Sequence, residues 1–287
     1  MSLLRSLRAR LMVALTGLLA LPAAHADWQI NLPPGVTEIS RRIYDLHMLI
    51  FWVCVVIGVL VFGAMIYALV AFRKKEGVKP ATWNHSTAAE IIWTVIPVLI
   101  LVAMAIPAAQ TLIFIEDTRD SELTIKITGY QWKWNYEYVD RDYNFYSNLE
   151  QASNVARQMN SGVDPYSVEH YLLNVDRPLV LPAGVKIRYL ITSNDVNHAW
   201  WVQAFGVKRD AIPGYLNEGW FKVDEPGIYR GQCAELCGKD HGFMPIVVDV
   251  RPKEQFEAWL AEQKAGTQVA TVPAAAPATD GAAASGT

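Results

Sequence analysis

Four side chains that bind transition metals lie within twelve residues of one another in the last third of the chain. They are Cys233, Cys237, His241 and Met244. Thiolate, thioether and imidazole donors together form the ligand set that copper prefers in proteins. A further imidazole, that of His198, lies upstream, where an alternating segment gives way to aromatic residues. The residue types and their spacing therefore predict a copper site.

The number of donors indicates more than one copper ion. A single-copper blue site uses two histidines, one cysteine and a weakly bound methionine, and this sequence adds a second cysteine. Five side chains are one too many for a four-coordinate site. If both thiolates bridge two coppers, they fill four positions, and the imidazoles and the thioether fill three more. The backbone carbonyl of Glu235, between the two cysteines, is well placed to supply the eighth donor.

Two other interpretations of the cysteine pair stay open on the sequence alone. Cysteines four residues apart in an oxidising compartment can form a disulfide, and cysteine with histidine can bind structural zinc. A disulfide leaves His241 and Met244 without a role, and zinc seldom recruits methionine. Cys54 lies in an apolar segment, where we expect it to serve packing. Three cysteines in total exclude a scaffold held by several disulfides.

Two apolar segments precede the site and predict a membrane anchor. Of the 287 residues 52% are hydrophobic, and the mean hydropathy is +0.15. Residues 46–72 and 91–115 contain no Asp, Glu, Lys or Arg, and each can cross a hydrocarbon core of about 30 Å. The connection, residues 73–90, begins with a basic cluster that consists of Arg73, Lys74, Lys75 and Lys79. The positive-inside rule places this connection in the cytoplasm and both outer ends in the periplasm.

The two ends of the chain predict segments outside the folded domain. A basic segment and an apolar stretch precede the small-x-small sequence Ala24–Ala26, as in an export signal. We therefore expect residues 1–26 to be a cleaved signal peptide and residues 27–45 a periplasmic N-terminal segment. Residues 265–287 are rich in Ala, Pro, Gly and Thr, have nothing to bury, and are expected to be a disordered tail.

The segment that carries the metal-binding side chains, residues 116–264, is predicted to be an all-β domain. Residues 123–139 and 179–192 alternate polar with β-branched or aromatic side chains, and Gly and Pro punctuate the intervals. Short alternating strands with regular turns are typical of a β-sandwich or barrel. Residues 143–176 are polar and read as an irregular insertion between strands. Residues 253–264 have helical spacing and predict a short amphipathic helix.

The metal motif, Cys-x-Glu-x-Cys-x3-His-x2-Met, resembles the CuA site of the cytochrome c oxidase subunit II family. Three other runs resemble the same family, and the likeness covers residues 40–260 in order. These runs are Glu90–Pro97, Gly129–Tyr138 and Asp210–Gly214. The resemblance implies a two-helix transmembrane hairpin followed by an all-β, cupredoxin-like periplasmic domain with Greek-key topology, either sandwich or barrel.

The resemblance also implies a role for individual residues. The ligands of a binuclear copper centre would be His198, Cys233, the Glu235 carbonyl, Cys237, His241 and Met244. The Glu235 carboxylate would help to bind magnesium at the interface with the catalytic subunit. Trp132 matches the residue that receives the electron, and Glu90 the mouth of a proton-uptake path. Tyr130 departs from the family pattern, because many members have His there.

Charge predicts the partner of the outer domain. Residues 116–264 contain 22 acidic and 16 basic residues, a net charge of −6, which favours docking of a basic cytochrome c. The acids that we expect to take part are Glu137, Asp140, Asp142 and Asp195. The chain lacks the Cys-x-x-Cys-His motif of covalent haem attachment, so the cytochrome c should be a separate protein. A net charge of −3 for the whole chain argues against a nucleic-acid binder.

Together these features favour the electron-accepting subunit of a respiratory cytochrome c oxidase in a bacterial inner membrane. It would take electrons from cytochrome c and pass them to the haem-containing catalytic subunit I, which reduces O2 to water and pumps protons. The alternative is a membrane-tethered cupredoxin that carries electrons or delivers copper. Quinol oxidases resemble the anchor but lack the copper ligands, and nitrous oxide reductase has the copper motif without the two-helix anchor.

Overall fold

A computed structural model describes residues 31–270 except Lys75, Val78 and Pro80. The predicted signal peptide and the end of the predicted tail lie outside the described residues. All the elements given below belong to one compact unit that begins at Pro34.

Two long helices follow the first described residues. Helix α1 spans Glu38–Ala71 and helix α2 spans Thr87–Ile115, and both are long and apolar enough to cross a membrane. Helix α1 begins eight residues before the predicted apolar segment. Its start is set by a capping box, in which Thr37 accepts a hydrogen bond from the Ser40 amide and Ser40 accepts one from the Thr37 amide. The apolar composition predicts which residues cross the membrane, whereas the capping residues determine where the helix begins.

The outer ends of both helices pack against the β-domain. Thr37 forms a β-bridge with Val223, and its hydroxyl donates to the Phe205 carbonyl at 2.8 Å. The Trp220 indole donates to the carbonyl of Phe114, near the end of α2, at 3.2 Å. The start of α1 and the end of α2 therefore both lie next to the β-domain, and the connection between the helices lies at their opposite ends. This arrangement confirms the predicted hairpin.

Ten strands form the β-domain in the described part of the chain. The first sheet has the order β3-β2-β1-β5-β8, and the second has the order β4-β10-β9-β6-β7. The strands of the first sheet are β1 Leu123–Tyr130, β2 Lys133–Tyr138, β3 Tyr143–Ser147, β5 Lys186–Ser193 and β8 Asn217–Lys222. Those of the second are β4 Leu179–Pro182, β6 His198–Val202, β7 Val207–Ala211, β9 Gly227–Cys233 and β10 Pro245–Arg251. One cluster of buried side chains contains residues from both sheets, so the sheets pack face to face as a sandwich.

The alternation seen in the sequence produces this core. Trp134, Tyr136 and Tyr138 occupy alternate positions on β2 and are fully buried. On β1 the partners are Ile125 and Ile127, also fully buried. In a β-strand every second side chain points to the same face of the sheet, so these residues share the buried face. The prediction of an all-β domain is confirmed.

Two predicted boundaries were wrong. The irregular insertion of residues 143–176 begins with strand β3 and contains a short helix, α3 Gln151–Ala156. Tyr143 and Phe145 alternate with polar residues and are buried at the sheet edge, a signal too short to be recognised in a polar stretch. The C-terminal helix α4 spans Lys253–Ala270, so the first residues of the predicted tail are helical. Cys54, which was expected to serve packing, lies exposed on α1.

Candidate metal centre

The predicted donors are brought together by the ends of two neighbouring strands. Cys233 is the last residue of β9, and His198 is the first residue of β6. The two strands pair so that Trp200 lies opposite Cys233, which brings His198 to the same edge of the second sheet. The chain then turns through a short loop and re-enters the sheet at Pro245. This loop, residues 234–244, is hereafter the ligand loop, and it carries Cys237, His241 and Met244.

The side chains converge on the two sulfur atoms. Cys233 Sγ lies 3.9 Å from His198 Nδ1 and 3.4 Å from the Glu235 carbonyl oxygen. Cys237 Sγ lies 3.4 Å from His241 Nδ1 and 3.5 Å from Met244 Sδ. The two sulfurs are 3.8 Å apart. All six predicted donors therefore lie within 4 Å of one of the two sulfurs or are those sulfurs themselves.

This arrangement fits copper better than the alternatives. A separation of 3.8 Å is almost twice the length of a disulfide bond, about 2.05 Å, so the structure holds two free thiols. The thioether of Met244 is buried against Cys237, and a thioether is a soft donor that suits copper rather than structural zinc. His198, Cys233 and Cys237 form a buried group of ligand atoms within 4.8 Å of one another.

Hydrogen bonding makes the two thiols electrostatically unequal. Burial raises the pKa of the Cys233 thiol, but hydrogen bonds with His198 and with the backbone at Glu235 and Ala199 outweigh burial and lower it to about 7. Burial and the neighbouring Cys233 sulfur raise the pKa of Cys237 to about 12. The Cys233 thiol is therefore the more acidic of the two, and a cation bound between them would offset the repulsion between two thiolates.

Two glycines make room for the site. A Cβ atom on Gly129 would lie 2.8 Å from Cδ2 of His198, so only glycine leaves space for this imidazole. Gly238 has φ +116°, and a Cβ atom there would lie 3.3 Å from Cζ2 of Trp132. Gly129 begins the aromatic run Gly129–Tyr138 and Gly238 follows Cys237, and nothing in the sequence indicated a role for either glycine.

Asp195, one of the four predicted docking acids, also lies beside the metal centre. Its Oδ1 is 2.9 Å from His198 Nε2, while His198 Nδ1 faces Cys233. Burial raises the pKa of Asp195, but the hydrogen bonds from His198 and from the amides of Gln131 and Val196 outweigh burial and lower it. Burial lowers the pKa of His198, and its hydrogen bonds to Cys233 and Asp195 outweigh this and raise it. A carboxylate behind a ligand histidine fixes its tautomer and orientation.

Trp132 contacts the ligand loop directly. Its indole N–H donates to the Cys237 carbonyl at 3.2 Å, and the side-chain amide of Gln131 donates to the same oxygen at 2.9 Å. Trp134, a fully buried residue of β2, is also in contact with the site. Its ring packs edge-on against the His198 ring, and its N–H donates to the Met244 carbonyl at 3.4 Å.

The structure does not bring every predicted residue to the site. Glu137 forms an ion pair with Lys126 at 3.4 Å, at the far end of β2 from Trp132, a distance along the strand of roughly 16 Å. Asp140 and Asp142 lie further along, beside the turn that joins β2 to β3. Glu90 lies in the first turn of α2, at the end of the hairpin remote from the β-domain.

Two protein families match the chain. The family described as the periplasmic domain of cytochrome c oxidase subunit II matches residues 123–251, and the one described as its transmembrane domain matches residues 25–111. The match to the first contains all six predicted copper donors, and the match to the second contains α1 and most of α2.

Individual relatives resemble the chain over most of its length. A probable cytochrome c oxidase subunit 2 of Rickettsia felis is 39% identical over 236 residues, which is 82% of this chain and 72% of the relative. The cytochrome c oxidase subunit 2 of Cereibacter sphaeroides is 35% identical and covers 91% of this chain and 93% of its own length. The crystal structure of the periplasmic domain of subunit II of cytochrome oxidase (CoxB) from Bradyrhizobium japonicum is 42% identical, covers 52% of this chain and 98% of its own, and has a TM-score of 0.45. The chain belongs to the cytochrome c oxidase subunit II family.

Proposed function

We propose that this chain is the subunit through which electrons reach a cytochrome c oxidase. It would accept them from cytochrome c at a binuclear copper centre and pass them to the haem-containing catalytic subunit, which reduces O2 to water and pumps protons. The observation that carries this proposal is the pair of thiols 3.8 Å apart, each with an imidazole nitrogen within 4 Å. Two thiolates at this spacing can be shared by two metal ions, whereas a single-copper blue site uses only one thiolate.

The chain's own residues would hold the centre rigid and connect it to the surface. Copper, when bound, supplies one-electron chemistry that is shared between the two metals. Cys233, Cys237, Met244 and His198 are buried, which limits reorganisation of water around the charge. Trp132 is half-buried and reaches the Cys237 carbonyl by a single hydrogen bond. We propose that this contact is the path by which the electron arrives.

Docking of cytochrome c is proposed to use acidic groups near Trp132. Of the four predicted acids, Asp195 lies nearest, because its carboxylate accepts the amide hydrogen of Gln131 at 2.7 Å. Glu137, Asp140 and Asp142 would contribute through the longer-range field of the domain. Salt screens such a field over about 8–10 Å, so the rate of reduction by a basic cytochrome c should fall with ionic strength. A rate independent of salt would exclude this part of the proposal.

The membrane and magnesium assignments are proposals of the same kind. We propose that the hairpin lies in a bacterial inner membrane, with the β-domain in the periplasm, and that Glu90 serves proton uptake on the opposite side. The Glu235 side chain is half-buried at the ligand loop, where its carbonyl faces Cys233 and leaves the carboxylate free to face a partner. Glu235→Gln should then lower the magnesium content of the purified complex and leave its copper content unchanged.

Purification of the complex that contains the full chain tests the central proposal. We expect haem to copurify, two coppers per chain in this subunit, and an EPR hyperfine pattern of one electron shared by two copper nuclei. Cys237→Ser should remove this pattern and the second copper, because a single thiolate cannot supply both of the shared ligands that the pair would need. A single-nucleus pattern with one copper per chain would rule out the binuclear centre, and a chain that purifies with copper but without haem would favour the tethered cupredoxin.

A further inference from the structure

The polar insertion between β3 and β4 is folded by its own hydrogen bonds. This segment, residues 148–176, is hereafter the insertion loop. At its base the Asn148 amide donates to Asp176 Oδ1 at 2.8 Å and the Asp176 amide donates to the Asn148 carbonyl at 3.0 Å. Inside it the fully buried hydroxyl of Ser153 accepts the Leu172 amide hydrogen at 3.1 Å. A loop that is closed at its base and held internally by hydrogen bonds can keep a side chain in a fixed position.

The side chain that it presents to the ligand loop is Arg157, the C-cap residue directly after helix α3. Its guanidinium donates to both carboxylate oxygens of Asp240, at 3.3 and 3.5 Å. It also lies over the ring of Phe243, with its central carbon 4.3 Å from the ring centre. Its Nε donates to Asn154 Oδ1 at 2.8 Å, which fixes the guanidinium plane from the other side. Only 21% of the Arg157 side chain and 19% of the Asp240 side chain are exposed.

The two ligand-loop residues that Arg157 contacts each precede a predicted metal donor. Asp240 is followed directly by His241, and Phe243 is followed directly by Met244. The turn that contains them also contains Gly238 and Gly242, which have the least conformational restriction of any residue type. Within the turn the backbone is tied by two short-range bonds, from the His241 amide to Gly238 and from the Phe243 amide to Asp240. Contacts from outside the ligand loop should therefore help to fix the conformation of this turn.

We infer that Arg157 is a positioning residue for the copper centre, which it supports by fixing Asp240 and Phe243 and hence the donors His241 and Met244. The inference rests on the proposed copper-binding function and gives the insertion loop a role within it. The bidentate ion pair and the stacked ring set both the position and the tilt of the turn, which a lysine at this position would not do. The donors are thereby held in place before copper arrives and while its charge changes.

The competing explanation is an ordinary surface ion pair. Exposed pairs contribute little, and the chain offers one for comparison, Arg141 with Glu257 at 3.2 Å, whose side chains are 41% and 43% exposed. That pair joins the β2–β3 turn to helix α4 and lies away from the ligand loop. Arg141→Ala is therefore a matched control, since it also removes one arginine and one ion pair from the same domain.

The experiment measures loss of copper from the full-length chain in detergent, with a competing chelator in excess. We expect Arg157→Ala to lose copper about tenfold faster than wild type, the lower end of the range for groups that orient metal ligands, and to show an altered copper EPR spectrum. Arg157→Lys should restore this only in part, and Arg141→Ala should behave as wild type. Asp240→Ala combined with Arg157→Ala should be no worse than either alone, because the pair acts as a unit.

The possible outcomes separate this inference from the proposed function. Wild-type rates and spectra in Arg157→Ala would overturn the inference while leaving the copper function intact. Failure of the wild-type chain to bind a copper pair would overturn both. If Arg157→Ala does not accumulate, Arg157→Lys decides, since faster loss than wild type supports the inference and wild-type loss overturns it.

Discussion

The metal centre and the membrane hairpin can both be recognised in the sequence. In the structure the chain buries the side chains of the metal centre but leaves those of the hairpin exposed. At the centre all six predicted donors belong to this chain and lie together, and His198, Cys233, Cys237 and Met244 are buried. In the hairpin the most apolar windows of α1 and α2 have none of their residues buried, and side chains such as Ile113 are 72% exposed. The centre can therefore form within this chain, whereas any function of the hairpin depends on lipid and on other subunits.

This difference separates the variants that can be studied in the isolated chain from those that need the complex. Changes near the copper ligands should alter copper affinity, spectra or electron transfer in the purified chain. Changes in the hairpin should be silent there and should appear only in the assembled oxidase. The three predictions below test this division.

The largest effect is expected for Trp132→Ala. The indole is the aromatic group that hydrogen-bonds the Cys237 carbonyl, and we propose it as the point of electron entry, so its loss should nearly abolish reduction by cytochrome c. Copper content should not change, because Trp132 supplies no donor. Stopped-flow reduction of the copper-loaded chain, with copper analysis of the same sample, measures both quantities.

Trp201→Ala is the control for this variant. Trp201 lies on β6, in the same sheet as the metal centre, and is 36% exposed. Its loss should leave the rate of reduction unchanged. Equal slowing in both variants would mean that loss of any exposed tryptophan of this domain slows the reaction. A normal rate in Trp132→Ala would show that Trp132 does not carry the electron.

An intermediate effect is expected for Asp195→Asn. The asparagine keeps the shape of the side chain but not its charge, so His198 loses the partner that orients it, and copper affinity should fall by roughly 10–100-fold near pH 8. Protons compete with copper for His198, and hydrogen bonds to Cys233 and Asp195 raise its pKa despite burial. Without the carboxylate this pKa falls, so copper binding to the variant should weaken less as the pH decreases.

The difference in affinity between Asp195→Asn and wild type should therefore narrow from pH 8 towards pH 5. Titration of the metal-free chain with copper at several pH values measures it. A constant ratio across this range would show that Asp195 does not act through His198. Asp140→Asn, which removes an exposed acid remote from the site, should titrate as wild type.

Five of the six predicted copper donors could be recognised in the sequence because their types and spacing are local properties of one short motif, and the structure brings His198 to them. The supporting residues could not. An aspartate three residues before a histidine can equally be an exposed surface residue. Only the turn before β6 brings the Asp195 carboxylate to the His198 imidazole. Trp134 looked like core because it alternates with other buried aromatics. Arg157 and Asp240 are 83 positions apart, and no sequence pattern links them.

The fold shows the same limit. Period-two alternation predicted the strands of the core, and unbroken apolar sequence predicted both spans. Helix α1 starts earlier than its apolar segment because hydrogen bonds between Thr37 and Ser40, rather than hydropathy, set its first turn. Strand β3 was missed because two buried aromatic residues in a polar stretch are too few to show a period.

The smallest effect, and the one expected only in the complex, is that of Glu90→Gln. Glu90 lies in the first turn of α2, where the helix dipole favours a negative charge, and it is half-buried. Among the residues that the structure describes, none donates a hydrogen bond or forms an ion pair with its carboxylate. A carboxylate in the membrane without a partner in its own chain is expected to face another subunit or a water-filled path. We propose that it faces a proton-uptake path.

Removal of this charge should slow turnover of the assembled oxidase by about tenfold at most, the lower end of what charge focusing supplies. The deficit should grow as the pH rises from 6 to 9, because protons become scarce and their collection limits the rate. Copper content, copper spectra and reduction by cytochrome c should match wild type, since those steps take place at the other end of the hairpin. Glu76→Gln, in the exposed connection between the helices, is the control. If Glu90→Gln turns over like Glu76→Gln at every pH, the carboxylate only stabilises the start of α2, and the hairpin serves as an anchor at this position.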